Sequence, residues 1–402
     1  MKILVISQYF WPENFIINDI VRTLDDQGHD VVVATGKPNY PDGKIFDGYS
    51  AKGTQYERYL GKIDVLRVPL WPRGEGGAKN LILNYLSFVL AGLLFLPWML
   101  RKREFDAILV FAPSPILQAI PAIPLKWLKK AKLALWVQDL WPESLKATGF
   151  VSNPHALRAV GWLVKGIYRC CDILLVQSRA FFEPVSRYAD REKIVYYPNS
   201  MDANSPVDLE PIPVELSELL DQYFCVVFAG NLGTAQALDT LVQAAVHLRD
   251  DLQVRLVLIG SGSRFAWLKS QQQALGLNNL ILAGRFAPQA MPQIFEKSSA
   301  LLVSLNDNEA FAQTVPSKIQ AYLAAGRPIL ASINGEGARV VSEAGAGLTS
   351  AAEQALPLVE NIRRLQALGV AEREAMGKSG RDYFEVNFDM PSQVSSLVRL
   401  LS

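Results

Sequence analysis

Phe224-Cys225-Val226-Val227-Phe228-Ala229-Gly230-Asn231-Leu232-Gly233-Thr234 decides how the rest of the chain is read. Six apolar residues in a row are short enough for a strand buried on both faces, and two glycines close the run. Leu238, Leu241, Val242, Ala245 and Leu248 then recur at helical spacing. Strand, glycine turn and helix form one crossover unit of a parallel sheet. The turn and the start of the helix expose backbone N–H groups, which together with the helix dipole suit an anion. The pattern repeats in Val254–Ile259 before Gly260-Ser261-Gly262, then in Leu280–Ala283, Ala300–Leu305 and Pro328–Ser332.

The preceding half carries its own series: Lys2–Phe10, Asp30–Thr35, Ile63–Leu70, Phe105–Ala112, Leu133–Gln138, Ile173–Gln177 and Ile194–Tyr197. Ile16, Ile17, Ile20, Val21 and Leu24 mark the first helix, which Gly28 ends. Near residue 200 the pattern resets, and Ser205–Leu216, rich in Pro, Asp and Glu, reads as a linker. The expected class is α/β, with two Rossmann-like doubly wound parallel-sheet domains facing a central cleft. Residues 1–202 form the first domain and 203–385 the second. Residues 386–402, including the helical stretch Met390–Leu401, pack back on the first. Ligands of such sheets bind at the carboxyl ends of the strands, so the cleft is the expected site.

With 402 residues, half of them hydrophobic, the chain can bury two cores. Its formal charge of +1 argues against nucleic acid as a partner. The halves differ: residues 1–202 carry net +6 and residues 203–402 net −5. Such asymmetry between halves suggests that one half meets an anionic surface or substrate. Three cysteines, two of them adjacent (Cys170, Cys171, Cys225), imply no disulfide framework and a reducing compartment. The three histidines lie far apart and without metal-ligand spacing. Met1-Lys2 runs straight into the strand Ile3–Ile6 with no signal peptide ahead of it, so a cytoplasmic location is expected.

Leu81–Leu100 is an apolar run of 20 residues in which Asn84 and Ser87 are the strongly polar members. It is long enough to cross a bilayer. It also lies between two strands assigned to one sheet, which a single crossing would separate. A buried crossover helix and an interfacial helix remain. Basic residues nearby favour the interface: Arg101, Lys102 and Arg103 follow the run, and Lys126, Lys129, Lys130 and Lys132 form a second cluster. Leu93, Leu94 and Trp98 are the expected apolar contacts, on the anionic inner leaflet of the membrane.

In the second half, Thr314-Val315-Pro316-Ser317-Lys318 leads into the helical stretch Ile319–Ala325, which Gly326 ends. The start of that helix offers N–H donors and Lys318 a full charge, a combination suited to a diphosphate.

Taken together, Gly28-His29-Asp30-Val31, Val137-Gln138-Asp139-Leu140-Trp141-Pro142-Glu143-Ser144, Tyr197-Pro198-Asn199-Ser200-Met201-Asp202, Phe228 to Gln236, Pro316-Ser317-Lys318 and Ala324-Ala325-Gly326-Arg327-Pro328 resemble the retaining GT-B glycosyltransferases of family four. Within that family the sequence is similar to the bacterial polysaccharide-assembly subgroup of L-fucosamine (N-acetyl-L-fucosamine) and colanic acid transferases. The resemblance spans the chain in the family's order. It implies a UDP-sugar donor, a polyprenyl-diphosphate-linked acceptor, retention of configuration and no metal; Asn306-Asp307-Asn308 departs from an Asp-x-Asp motif.

The sequence also departs from the family pattern. Asn231 and Gln236 stand where the family has Arg and Lys, and Gln313 and Ala321 where it has the two glutamates of E-x7-E. Lys318, with Arg285, is expected to supply the missing positive charge, and Glu309 a missing carboxylate. The expected donor site comprises Gly230, Asn231, Gly233, Gln236, Gly260, Gly262, Arg285, Glu309, Thr314, Ser317 and Lys318. On the acceptor side Asp139, Glu143 and Glu13 are candidates to orient the acceptor hydroxyl, with Gln138 where the family places a histidine. Two other classes fit parts of the sequence. A GT-B-type nucleotide-sugar epimerase would need no membrane surface, and a non-catalytic partner would explain the absent carboxylates.

Overall fold

The computed structural model describes residues 1–75, 77–147, 149, 151, 153–203 and 209–402. It divides into two compact units, Met1–Ser200 with Met390–Ser402, and Met201–Asp389.

The first unit holds eight strands: β1 (Lys2–Ser7), β2 (Asp30–Thr35), β3 (Gln55–Tyr59), β4 (Ile63–Arg67), β5 (Ala107–Ala112), β6 (Lys132–Val137), β7 (Ile173–Val176) and β8 (Ile194–Tyr196). Their order is β3-β4-β2-β1-β5-β6-β7-β8, and every pairing is parallel except β3 against β4. The central strands are runs of Val, Ile and Leu because helices cover both faces. Sequence reading missed β3: its residues QYERY alternate in burial and are mostly polar, as suits an edge strand.

The helices of this unit are α1 (Ile16–Asp26), α2 (Ala78–Met99), α3 (Ala122–Lys129), α4 (Glu143–Ala147), α5 (Pro154–Cys170) and α6 (Phe182–Ser186). Ile17, Ile20, Val21 and Leu24 of α1 share one core with Met390, Val394, Leu397 and Leu401 of the terminal helix. On the opposite face, Phe88, Ala91 and Leu96 of α2, Ala122 and Leu125 of α3, Val164 and Ile167 of α5 and Val185 of α6 share another.

Helix α2 joins β4 to β5 within one sheet, so it cannot cross a bilayer in this fold, although its length and composition would allow it. Neither is it a buried core helix. One face packs inward; the other exposes Ile82, Leu86, Leu90, Leu94 and Trp98, spaced every four residues as a single stripe. Leu94 is 70% exposed and Leu93 38%. Trp127 and Leu128 of α3 are exposed in the same helical layer.

The basic cluster is less free than its sequence suggests. Arg103 bonds the Asp64 carboxylate at 2.6 Å, and Lys126 bonds Asp172 at 2.7 Å and the Cys170 carbonyl. Lys129 donates to the carbonyls of Leu100 and Arg103, closing the end of α2. Lys102 and Lys130 stay exposed. Arg101 lies over the Trp98 ring, 4.6 Å from its centroid.

The second unit is a six-stranded, wholly parallel sheet. Its strands are β9 (Phe224–Ala229), β10 (Val254–Ile259), β11 (Leu280–Gly284), β12 (Ala300–Ser304), β13 (Ile329–Ser332) and β14 (Gly347–Ser350), in the order β11-β10-β9-β12-β13-β14. Around it lie α7 (Val214–Gln222), α8 (Leu238–His247), α9 (Phe265–Ala274), α10 (Met291–Lys297), α11 (Glu309–Ala312), α12 (Ser317–Ala325), α13 (Glu336–Glu343), α14 (Ala355–Ala367) and α15 (Val370–Asn387); α16 (Met390–Leu401) returns to the first unit. Of the stretch read as a linker, 205–208 lie outside the described residues, and α7 begins inside its remainder. The division between units falls after Ser200 and again after Asp389.

Replacing Leu90 and Leu94 together by Glu should leave thermal unfolding nearly unchanged. Leu96→Ala, in the core, should cost about 2–5 kcal/mol by denaturant titration.

Candidate functional site

The carboxyl end of β9 is built around close backbone approach. Gly230 has φ of 143°, and a Cβ there would lie 2.6 Å from Lys318 Cε. A Cβ at Gly260 would meet the Gly230 carbonyl at 1.8 Å, and one at Gly262 the Leu232 carbonyl at 2.4 Å. Only glycine lets these loops touch. The Gly230 amide donates to the Ile259 carbonyl and the Leu232 amide to that of Ser261, so these two donors of the turn are already engaged. The amides of Asn231, Gly233 and Thr234 have no acceptor among the described residues.

Helix α12 is fixed against this turn by Tyr322. Its buried hydroxyl accepts from the Ala229 amide at 3.1 Å, and its ring packs edge-on against Phe295. The first turn of α12 thereby meets the end of β9, and Lys318 folds over Gly230. The ammonium is 2.6 Å from Gln236 Oε1 and 3.8 Å from the centroid of the Phe228 ring. Burial pushes its pKa down to about 7. Ser317, at the same helix end, is exposed and makes no cap; Pro316 takes the capping position.

The other donor-side candidates are dispersed. Glu309 is exposed at the start of α11, where Gln313 donates to it at 3.4 Å. The Thr314 hydroxyl turns back to the carbonyls of Ala310 and Phe311. Arg285 is exposed after the edge strand β11, without a contact to the Lys318 group. Asn306-Asp307-Asn308 is structural. Asn306 clasps Ala237 and Thr234, Asp307 accepts from Asn334, and Asn308 caps α11.

In the first unit the structure sorts the three carboxylates. Glu13 is a correction: it is 2% exposed, and its oxygens accept from the amides of Phe10, Asn39 and Tyr40 at 3.2, 2.8 and 2.8 Å. It ties two loops together and is closed off from an acceptor hydroxyl by burial. Burial raises its pKa, and those amides oppose the shift. Asp139, half-buried after β6, takes a hydrogen bond from the Trp141 indole at 3.2 Å. Burial raises its pKa too, with Ser144 and Ser114 among the groups holding it down. Glu143 begins α4 and lies 3.9 Å from Arg187. Gln138 is locked in a ring at 2.7–2.9 Å: its side-chain amide donates to Asn199, Asn199 donates to Gln177, and Gln177 donates back to the Gln138 carbonyl, tying together the loops after β6, β7 and β8.

Sequence reading missed Arg73, Tyr9 and Tyr85. The Arg73 guanidinium donates to the Tyr9 hydroxyl at 3.1 Å and lies over the rings of Tyr9 and Tyr40, while Tyr9 stacks on Phe15. Burial raises the Tyr85 hydroxyl's pKa, which Arg73 lowers and Asp139 raises, so Tyr85 lies within electrostatic reach of both. A signal for this cluster existed in the aromatic residues that follow β1 and in the loop Trp71-Pro72-Arg73.

Residues 14–200 match the glycosyl transferase 4-like domain and residues 217–383 the glycosyl transferases group 1 family. The chain belongs to the GT-B glycosyltransferases of family four. It is 25% identical over 346 residues to the putative colanic acid biosynthesis glycosyl transferase WcaI of Escherichia coli (strain K12), covering 81% of this chain and 82% of that one. Its fold matches HepE of Anabaena in complex with UDP (TM-score 0.68, 14% identity, 100% and 99% of the two chains covered). It also matches the trehalose-6-phosphate structure from E. coli bound with UDP-2-fluoro glucose (TM-score 0.70, 13% identity, 100% and 99% covered). In this glycosyltransferase Gln236 contacts the Lys318 ammonium directly.

A lysine whose pKa is lowered on folding binds fewer protons folded than unfolded between about pH 7 and 10.5, so stability rises with pH across that window. Lys318→Met should therefore unfold at a higher temperature than wild type near pH 6–7, the gap narrowing as pH rises through about 9–10. Scanning calorimetry across pH checks this.

Proposed function

We propose that this enzyme moves a sugar from a UDP-sugar to a polyprenyl-diphosphate-linked saccharide, with retention, in cell-surface polysaccharide biosynthesis of the O-antigen, capsule or exopolysaccharide kind. The sugar proposed is an N-acetylated deoxyhexosamine. One observation carries the reading: an ammonium held against a glycine turn and the start of a helix, with turn amides left over. This is the chemistry that a diphosphate leaving group requires.

As the bond from sugar to diphosphate breaks, negative charge grows on the phosphate oxygens. Donors fixed beforehand stabilise that charge more in the transition state than in the ground state. Lys318 supplies the charge; Asn231, Gly233 and Thr234 supply amides; Glu309, brought beside Gln313, faces the donor sugar. Asp139 orients the acceptor hydroxyl, and in front-face attack the leaving phosphate takes its proton. No metal is required. The names of the relatives support the donor and the setting: HepE is in complex with UDP, and WcaI is a colanic acid biosynthesis protein.

The apolar stripe of α2, bordered by Lys102, Arg101 and Lys130, supports peripheral attachment to the cytoplasmic face of the inner membrane.

Radiolabelled UDP-sugars incubated with membranes and purified protein test the reading. Label in the lipid fraction supports it; an isomerised soluble sugar would point to an epimerase, and neither product to a non-catalytic partner. Lys318→Ala should lower turnover by about 2–4 kcal/mol of transition-state stabilisation while the protein stays folded. Near pH 8, UDP binding should draw a proton onto Lys318. Titration calorimetry in buffers of different ionisation enthalpy should read this uptake for wild type and lose it in Lys318→Met.

A further inference from the structure

A groove of about 510 Å³ lies in the first unit, outside the residues described so far as a site. It runs between α5 and the segment after α6, opening at Pro142, next to Glu143. Its lining includes Arg158, Lys165 and Arg187, with Trp162 and Tyr188, and no carboxylate. Arg158 and Lys165 have no ion-pair partner among the described residues, and Arg187 reaches Glu143 at 3.9 Å from a side chain 57% exposed. Gly161 makes the groove possible: its missing side chain lets the Tyr188 ring approach, and a Cβ there would stand 3.1 Å from that ring. The volume falls within the range of small-ligand pockets.

Two features restrict the occupant. Three cations around one hollow, without a carboxylate in the wall, call for more than one negative charge. Trp162 is 76% exposed and Leu163 42%, on a helix whose inner face shares one core with α2 and α3. The outer face of that layer also exposes Leu94, Trp98, Trp127 and Leu128. An anion reached from such apolar ground is one anchored in a bilayer. We propose that Arg158, Lys165 and Arg187 bind the diphosphate of the polyprenyl-diphosphate acceptor. Trp162 packs against its first isoprene units, and the attached saccharide leads past Pro142 toward Asp139. This assignment rests on the acceptor class proposed above.

The test is binding without donor or turnover, so an inactive wild type would sink the transferase reading and leave this readout intact. Wild type and Arg158→Gln/Lys165→Gln are co-sedimented with phosphatidylcholine vesicles containing a small fraction of polyprenyl diphosphate. Parallel samples use phosphatidylcholine vesicles with phosphatidylglycerol at matched charge. Both replaced side chains are exposed, and matching thermal unfolding confirms the fold. The expected result is a loss of affinity on the order of tenfold per cation on the diphosphate vesicles alone. An equal loss on phosphatidylglycerol vesicles would overturn the proposal in favour of a general anionic-lipid contact. Unchanged binding to both would overturn it outright.

Discussion

The meeting of β9 and α12 depends on an atom that is missing. Without a Cβ at Gly230, the Lys318 side chain can lie along the backbone turn and bring its ammonium to Gln236 and the face of Phe228. Tyr322 holds the geometry from below by gripping Ala229, so strand end and helix start move as one. The cost is an ammonium withdrawn from water, softened by one carbonyl and one ring. Such a group is poorly solvated until an anion arrives, which suits a site for binding charge better than one for holding the fold.

The strand-end loops of the first unit follow a different principle. There the polar side chains mostly serve the loops. Glu13 gathers three amides, the ring of Gln138, Asn199 and Gln177 ties the ends of three strands, and Arg67, fully buried, joins Glu57 to the carbonyls of Gly36 and Trp11. A carboxylate in a loop after a strand is therefore weak evidence for chemistry. What matters is whether a ligand can reach it: Asp139, although held by Trp141, Ser144 and Ser114, and Glu143 are half-buried, whereas Glu13 is closed off.

Much of the architecture was readable because its signals are strong and local: short β-branched runs, glycine at strand ends, helical spacing between them. The misses have physical causes. Strand β3 is polar and belongs to an edge, and β14 is four residues long and begins at Gly347, whose bare backbone lies against Ile329. The position of Lys318 at a helix start just after a proline was legible in the sequence. Its contact with Gln236, 82 residues away in sequence, was not. Arg73 escaped notice because its meaning comes from Tyr9 and Tyr40, which only the folded loops bring beneath it.

Asn84 and Ser87, two polar residues within the apolar run of α2, both bond to neighbouring loops. Asn84 accepts from Gln8 and donates to the Trp71 carbonyl, and Ser87 accepts from the Trp71 amide. The greasy helix is thus bolted to the segments that carry Tyr9 and Arg73. Any shift or tilt of that rod, such as the lipid attachment proposed above would impose, is passed on to the aromatic basket at its head, so the position of the helix and the shape of these loops form one mechanical variable.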